Sequence, residues 1–284
     1  IDVKPSGFFK AAGWRYDSFM KNRPQASKAV IAYHNRVAPK YDQIYSTKGW
    51  EFYRAVTWEI IRPHLPKDAN ANVIDLGCGT GEWGLRLAKS GYRTVLLDIS
   101  PKMLEVARRK AEELGVTERV EFVQSDICRM EKVGDEEFDF AVAEGDPICH
   151  ASDPPAALKE IRRILKPGAI LCASIDNACA GYEHFIEKGD LAGLEKFVRS
   201  GKTEWLAQRR EERFEIRMFT PDQFSKLLKR TGFEVLSVRG KTALPLRKNP
   251  DLLSDKRSFQ KLLKLEMELN ILMRKQVLLQ LPYM

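Results

Sequence analysis

A glycine-rich loop after an apolar run is the segment of this chain best suited to hold a ligand. Residues 73–81 read V-I-D-L-G-C-G-T-G, and Asp98 ends the next apolar run. Glycines after a strand let the backbone turn tightly and approach a ligand, because no Cβ atom intervenes. An acidic residue about 20 positions beyond such a loop is typical of sites that bind ribose hydroxyls. The glycine-rich loop and Asp98 together therefore predict a nucleoside-binding site.

The glycine spacing narrows the choice of ligand. A dinucleotide fingerprint, G-x-G-x-x-G, has two residues between its last glycines, and a pyrophosphate then rests on the following helix N-terminus. Here Thr80 alone separates Gly79 from Gly81, and the sequence has no G-x-x-x-x-G-K-[S/T] phosphate loop. The spacing favours a nucleoside without phosphates and argues against an NAD-dependent oxidoreductase. A glycine-rich turn that binds no ligand is the structural alternative.

Residues 75–81 match in full the D-x-G-x-G-x-G motif of the class I S-adenosylmethionine-dependent methyltransferases, and the chain resembles that family at this point. The resemblance continues in order over roughly residues 30–240, and it is closest to the members that methylate small molecules. It implies S-adenosylmethionine as the cofactor, methyl transfer as the reaction, and contact between Asp126 and the adenine amino group. The cofactor-binding residues that it implies are Tyr41, Asp75, Gly77, Cys78, Gly79, Gly81, Asp98, Ile99, Met103, Ser125, Asp126, Ile127, Glu144 and Gly145.

Short apolar runs alternate with helical patterns along most of the chain. This alternation predicts an α/β fold with a doubly wound, mostly parallel, Rossmann-like sheet. Right-handed crossovers would bring the ends of the first four strands, with Asp75, Asp98, Asp126 and Glu144, to one cleft. The predicted strands are 72–76, 94–98, 120–124, 138–143, 169–175 and 233–238, and the predicted helices are 82–90, 100–114 and 155–165.

Two additions to the sheet are expected near the cleft. Residues 1–70 form an N-terminal helical extension, and 71–284 form the methyltransferase domain. Helical spacing over 28–64 predicts either a lid over the cofactor or two helices packed on the core. The inserted segment 177–218 is expected to cap the acceptor pocket, because a long insertion beside a site is more often functional. The aromatic residues assigned to the lid are Tyr33, Tyr41, Tyr45, Trp50 and Phe52.

The C-terminal stretch 256–274 is amphipathic, which predicts a packing face or the face of a homodimer. Its helically spaced apolar residues are Leu262, Leu265, Leu269 and Leu272. The family usually closes its sheet with a reversed seventh strand. Residues 276–284 could supply it, or it could be shortened or absent.

Methyl transfer needs few catalytic groups, because holding the acceptor against an activated methyl group supplies most of the acceleration. A base is needed only where the acceptor loses a proton. His150, six residues beyond Glu144, is the candidate base. Asp176 and Asn177, after the fifth strand, could also face the acceptor, although capping of a turn or helix is the favoured interpretation. The segment 144–150 lacks the [D/N/S]-P-P-[Y/F] motif that adenine and glutamine-amide methyltransferases use there, which favours a small-molecule acceptor.

The distribution of charge along the chain allows a second interpretation of the acceptor. The chain carries a net charge of +8. Residues 1–71 hold 12 Lys and Arg against 6 Asp and Glu, 222–284 hold 13 against 6, and 72–221 hold 22 against 27. RNA or protein methylation guided by the basic ends is therefore the alternative. No basic run interleaved with aromatic residues occurs, so a solvated surface is favoured over nucleic-acid binding. A noncatalytic binding module would not need the intact loop and Asp98.

The composition indicates whether a metal site, a membrane span or a signal peptide is expected. Five cysteines without C-x-x-C pairs and four scattered histidines form no zinc-site pattern, so no metal is expected. The sequence has no run of 18 apolar residues that could span a membrane. It also shows no signal-peptide pattern. The expected location is the cytoplasm.

Overall fold

The computed structural model describes residues 16–205, 209–241 and 243–272. A parallel sheet in the order β3–β2–β1–β4–β5 forms its centre. The central strands β1 and β4 are buried along most of their length, as expected where helices cover both faces. The predicted doubly wound α/β fold is confirmed. The strands are β1 (Asn72–Leu76), β2 (Arg93–Asp98), β3 (Val120–Gln124), β4 (Phe138–Ala143) and β5 (Leu165–Ala173).

Three helices connect these strands as the sequence predicted. They are α4 (Glu82–Lys89), α5 (Pro101–Glu113) and α7 (Pro154–Ile164), and the short α6 (Pro147–His150) follows β4. The hydroxyl of Ser100 caps α5 by accepting from the Met103 amide at 3.2 Å, and Pro101 fits the first helical position. The caps fix where each helix starts relative to the strand ends, and therefore where the cleft lies.

The prediction of a strand over 233–238 is wrong. This segment follows α10 (Pro221–Arg230) without forming a strand, so β5 is the outer strand of the described sheet. Leu236 and Val238 are 64% and 48% exposed, which means that their apolar side chains do not cover the core. The strand propensity of residues 233–238 is high, but in the folded chain these residues do not pair with a neighbouring strand. β5 also begins earlier than predicted, at Leu165, and an irregular register follows before Ile170 pairs with Phe140.

The N-terminal residues form α1 (Tyr16–Val37), α2 (Tyr41–Ile44) and α3 (Lys48–Ile61). The inserted segment forms α8 (Ala178–Glu187), α9 (Leu191–Ser200) and an antiparallel pair, β6 (Lys202–Trp205) and β7 (Phe214–Arg217). This cap does not stand alone. Val30 of α1 packs with Phe197, Phe214 and Ile216 in one buried cluster. Helix α1 and the cap therefore form a single roof over the carboxyl ends of the strands.

The last described helix, α11 (Lys256–Leu272), packs on α3. The rings of Phe52 and Phe259 lie 5.3 Å apart in an edge contact, so Phe52 belongs to this interface and not to the predicted aromatic lid. Leu262 joins the same cluster, whereas Leu265 is 40% exposed. The amphipathic pattern thus serves packing, and a homodimer stays a prediction. The possible seventh strand at 276–284 lies outside the described residues. Within the described ranges, no helix combines the length and apolar character needed to cross a bilayer.

Candidate active site

The glycine loop takes its shape from the end of β2. The amides of Gly77 and Cys78 both donate to the carbonyl of Leu97, at 2.8 and 2.9 Å. The φ angles of Gly77, Gly79 and Gly81 are 69°, 52° and 89°. These are left-handed values that other residues rarely adopt, which explains three glycines in so short a loop. The backbone is thereby folded back over the carboxyl ends of β1 and β2.

The first two glycines have different neighbours. A Cβ atom on Gly77 would lie 2.5 Å from the Cβ of Pro147, at the start of α6. A Cβ atom on Gly79 would meet only Cε1 of Tyr41, at 3.9 Å. Gly77 is therefore required for packing against the segment after β4, while Gly79 borders space next to the Tyr41 ring. Only the second is free to border a ligand.

Asp98 is held at the end of β2 by two backbone donors. Its Oδ2 accepts from the Gly79 amide and its Oδ1 from the Ser100 amide, both at 2.8 Å. The residue is only 8% exposed, and burial raises the pKa of its carboxyl. A carboxylate has about four acceptor positions, so each oxygen can still accept from a ligand hydroxyl. The site thus offers a fixed, two-oxygen acceptor beside the glycine loop.

Asp75 lies fully buried at the end of β1 with one oxygen unsatisfied. Its Oδ2 accepts from the Gly84 amide at 2.7 Å. Its Oδ1 has no hydrogen-bond partner among the described residues. Burial, reinforced by Asp98, Glu144 and Glu82, raises the pKa of this carboxyl to about 8. An orphaned buried acceptor indicates a missing donor.

Three predicted site residues form walls around the loop. Cys78 is buried, and burial raises the pKa of its thiol. Met103 is fully buried and packs with Val37 of α1. Ile99 packs against the roof cluster of α1 and the cap. These side chains shape the cleft through packing.

Asp126 faces α1 instead of the open cavity. Its Oδ2 accepts from the hydroxyl of Ser27 at 3.0 Å, and its Oδ1 accepts from the Cys128 amide at 2.8 Å. Next to it, the hydroxyl of Ser125 donates to the carbonyl of Arg129 at 3.1 Å, and Ile127 is buried in the core. Helix α1 therefore covers the end of β3, where the family resemblance implies adenine binding.

Helix α2 is tied down onto the glycine loop. The hydroxyl of Thr80 donates to Asp42 at 2.6 Å, and Lys110 of α5 reaches the other oxygen of Asp42 at 3.0 Å. Beyond this contact, four aromatic rings form a row with neighbouring centroids 4.8, 4.8 and 5.3 Å apart. This aromatic row consists of Tyr41, Tyr45, Trp50 and Tyr53. The N-terminal helices thus contact the glycine loop and also pack on the core, and their role as a lid stays a prediction.

A buried cation that the sequence did not reveal lies at the end of β4. Lys241 pairs with Glu144, and its ammonium also lies 3.2 Å from the Tyr53 hydroxyl. Burial alone would lower the pKa of Lys241, but Glu144 and Tyr53 outweigh it and raise the pKa. The amides of Gly145 and Asp146 both donate to the Ser174 hydroxyl, at 3.1 and 3.2 Å. The chain after β4 is thereby fixed against β5.

His150 lies on the acceptor side of the cleft. Its Nε2 is 3.7 Å from a carboxylate oxygen of Asp176, and its ring centroid is 5.6 Å from that of Phe214. His34 of α1 lies 6.2 Å away, centroid to centroid. Burial, and then the nearby His150, lower the pKa of His34 to about 4, against the effect of its bond to the Val30 carbonyl. His34 is therefore neutral near pH 7, and the role of His150 as a base stays a prediction.

A cavity of about 1700 Å³ lies between the aromatic row and the polar residues that follow β4 and β5. It is bounded by the aromatic row, the chain from Glu144 to Asp146, His150 and Asp176, and it continues along the open edge of β5. Thr80 and Glu82 line it at the loop, whereas Gly79, Asp98 and Asp126 do not. In the part of the chain that the structure describes, no cluster of three or more His, Cys, Asp or Glu side chains has the geometry of a metal site.

Comparisons with known proteins identify the family. A model described as a methyltransferase domain matches residues 73–168. A demethylmenaquinone methyltransferase of Clavibacter sepedonicus is 30% identical over 225 residues, which cover 75% of this chain and 86% of that protein. A 2-phytyl-1,4-naphtoquinone methyltransferase of Nostoc punctiforme is 31% identical over 144 residues, 49% of this chain and 61% of the relative. The chain belongs to the class I S-adenosylmethionine-dependent methyltransferases.

A solved structure supports the fold. A protein from Listeria monocytogenes, described as an S-adenosylmethionine dependent methyltransferase, superposes with a TM-score of 0.55 at 19% identity, covering 72% of this chain and 92% of that one. This superposition shows the fold, while membership of the S-adenosylmethionine-dependent family rests on the sequence matches. The match to the Nostoc relative spans about three-fifths of that protein's length, so its substrate is not carried over with the fold.

The residues present fit that cofactor. A Cβ atom on Gly79 would meet only the Tyr41 ring, at 3.9 Å, so this side of the loop is not closed by packing against the core. The orphaned Oδ1 of Asp75 suits an ammonium donor, and the cofactor carries one on its methionine end. Asp98 has acceptor capacity left for hydroxyl groups. The assignment of individual side chains to the cofactor stays a prediction.

Proposed function

We propose that this methyltransferase acts in the cytoplasm on a small-molecule acceptor that enters the cavity beneath the lid and cap. When bound, the cofactor supplies a methyl group already activated by its sulfonium sulfur. Asp98 would bind the ribose hydroxyls, and the Oδ1 of Asp75 would accept from the ammonium group. The lid and cap exclude water, and the aromatic row positions the acceptor. Positioning in a dry pocket can supply most of the acceleration.

The observation that carries the choice of acceptor is the character of the cavity. Its walls combine the aromatic row with the carboxylates of Glu144, Asp146 and Asp176. These carboxylates would repel a phosphate backbone, which disfavours RNA. A small molecule with a planar body would stack on the rings. Relatives named for quinone substrates make an aromatic acceptor the natural first choice.

A label-transfer experiment tests this proposal. The protein is incubated with methyl-labelled cofactor and with separated small-molecule, RNA and protein fractions of a cell extract. We expect label to enter the small-molecule fraction. Label that enters RNA or protein instead would contradict the proposed acceptor.

The cofactor assignment is tested by binding. Asp98→Ala removes two charge-assisted hydrogen bonds, each contributing about 1.5 kcal/mol or more, so affinity for S-adenosylhomocysteine should fall at least about 100-fold by calorimetry. Glu105→Ala, which removes an exposed carboxylate on α5, is the control and should bind normally. Equal affinities in the two variants would remove Asp98 from the binding site.

A further inference from the structure

The charges at the acceptor end of the cavity are unevenly balanced. Glu144 is paired with Lys241, and Glu82 lies 3.8 Å from Arg54. Asp146 differs from both, because its Oδ1 is buried without a hydrogen-bond partner among the described residues. Asp176 lies 3.7 Å from His150, which is a cation only when protonated. The cation that acts on Asp146 is Lys241, which is already paired with Glu144, so Asp146 and Asp176 have no permanent cation to themselves among the contacts described.

These carboxylates are separate from the group that serves the cofactor. The charges that act most on Asp75 are Asp98, Glu144 and Glu82. Those that act on Asp146 are Asp176, Lys241 and Glu144. Glu144 is common to both sets. Asp146 and Asp176 line the cavity, whereas Asp75 does not.

The rings beside these carboxylates are suited to a cation. The phenol of Tyr45 is close enough that, after burial and Tyr33, both Asp176 and Asp146 raise its pKa. One cation already lies on the aromatic row, since the ammonium of Lys241 is 4.9 Å from the centroid of the Tyr53 ring. Aromatic faces next to carboxylates bind ammonium groups through the ring quadrupole and charge-assisted hydrogen bonds.

We propose that the acceptor carries a basic nitrogen, which Asp146 and Asp176 bind as an ammonium group beside Tyr45, and that this nitrogen receives the methyl group. This inference rests on the proposed function, since it names the acceptor class of the same cavity. It differs from the quinone substrates for which the relatives are named.

The transfer step is balanced within the site. The ammonium first loses one proton, and the His150–Asp176 pair or Asp146 accepts it. Burial, and then Asp176, raise the pKa of Asp146 to about 7, so this carboxyl can hold a proton near neutral pH. The nitrogen lone pair then forms the new N–C bond while the C–S bond breaks, its electron pair remaining on sulfur. The proton leaves to water when the product departs.

Calorimetry on the full chain saturated with S-adenosylhomocysteine tests the inference with three probes: 2-phenylethylamine, 2-phenylethanol and 1,4-naphthalenediol. We expect the amine to bind about 10- to 100-fold more tightly than the alcohol of the same shape, because only the amine is charged. Asp146→Asn and Asp176→Asn should each reduce that preference about 10-fold or more while 2-phenylethanol binds as before. Asparagine tolerates the left-handed φ of 63° at position 146, so folding is preserved.

Asp251→Asn, at an exposed carboxylate remote from the cavity, should keep the full preference for the amine. Equal binding of amine and alcohol, tighter binding of the diol, or an undiminished amine preference in Asp146→Asn would each overturn the inference and leave the methyltransferase assignment intact. Failure of S-adenosylhomocysteine itself to bind would instead overturn the proposed function as well.

Discussion

Substituting alanine for Gly77 or Gly79 should have different effects. The first substitution should mainly lower stability, and the second should mainly lower ligand affinity. In Gly77→Ala the new Cβ would lie 2.5 Å from the Cβ of Pro147 and 3.1 Å from its Cγ, at a φ of 69°. Left-handed backbone costs an alanine about 1–2 kcal/mol, and overpacking against a rigid proline adds about 1–3 kcal/mol. The free energy of unfolding should therefore fall by about 2–5 kcal/mol.

In Gly79→Ala the new Cβ would have only Tyr41 Cε1 at 3.9 Å, an ordinary contact. Only the backbone strain remains, so the free energy of unfolding should fall by about 1–2 kcal/mol. The methyl group would nevertheless occupy the space assigned to the cofactor. Affinity for S-adenosylhomocysteine should fall at least about 10-fold, because one ordered contact is lost or displaced.

Gly115→Ala provides the matched control. Its φ of 65° is close to that of Gly77, and an added Cβ would meet nothing within 4 Å. Denaturant unfolding and calorimetry on the three variants separate strain, overlap and ligand blockage. If Gly77→Ala were no less stable than Gly115→Ala, the contact with Pro147 would not constrain the loop. If Gly79→Ala bound the ligand as well as the control, the loop would serve packing only.

Three further outcomes follow from the site. The pKa of Asp75 in the folded protein is about 8, above its ordinary 3.8, so the contribution of Asp75 to stability is present at low pH and is lost as the pH rises toward 8. The free energy of unfolding should therefore decline by up to about 4 kcal/mol between about pH 5 and pH 8, and Asp75→Asn should flatten this decline in unfolding experiments. His150→Asn should lower turnover about 100-fold and leave cofactor affinity unchanged; normal turnover would leave positioning as the whole mechanism. Thr80→Val, which removes the bond to Asp42, should speed dissociation of S-adenosylhomocysteine about 10-fold in stopped-flow measurements, and an unchanged rate would mean that this bond does not hold the lid closed.

The parts of the site that lie close together in sequence were predictable. The loop, Asp75 and Asp98 follow from one motif and one spacing, because a parallel sheet places successive strand ends at the same edge. The positions of the five strands follow from the alternation of apolar runs and helical patterns. Helices over the N-terminal segment were also predictable from their spacing, whereas the roles of lid and cap stay predictions.

Contacts across long sequence separations were not predictable. Lys241 pairs with Glu144 from 97 positions away, on an irregular segment that follows residues with strong strand propensity. That propensity produced the wrong strand at 233–238, and the true role of the segment is to return Lys241 to the cleft. The assignment of Phe52 to the lid failed for a related reason. A step of one residue along α3 decides whether a ring faces the cavity, as Tyr53 does, or the helix α11, as Phe52 does.

The buried carboxylates explain how ligand binding and stability are coupled in this enzyme. Burial raises the pKa of Asp75, Asp98 and Asp146, so ionising these carboxyls in the free protein costs free energy. Both the cofactor and an amine acceptor bring positive charge, and each would return these groups toward ordinary ionisation. A cationic ligand should therefore stabilise the fold most at alkaline pH, where the unliganded site is least stable. A neutral acceptor could not do this, so the pH dependence of ligand-induced stabilisation reports on the charge of the true acceptor.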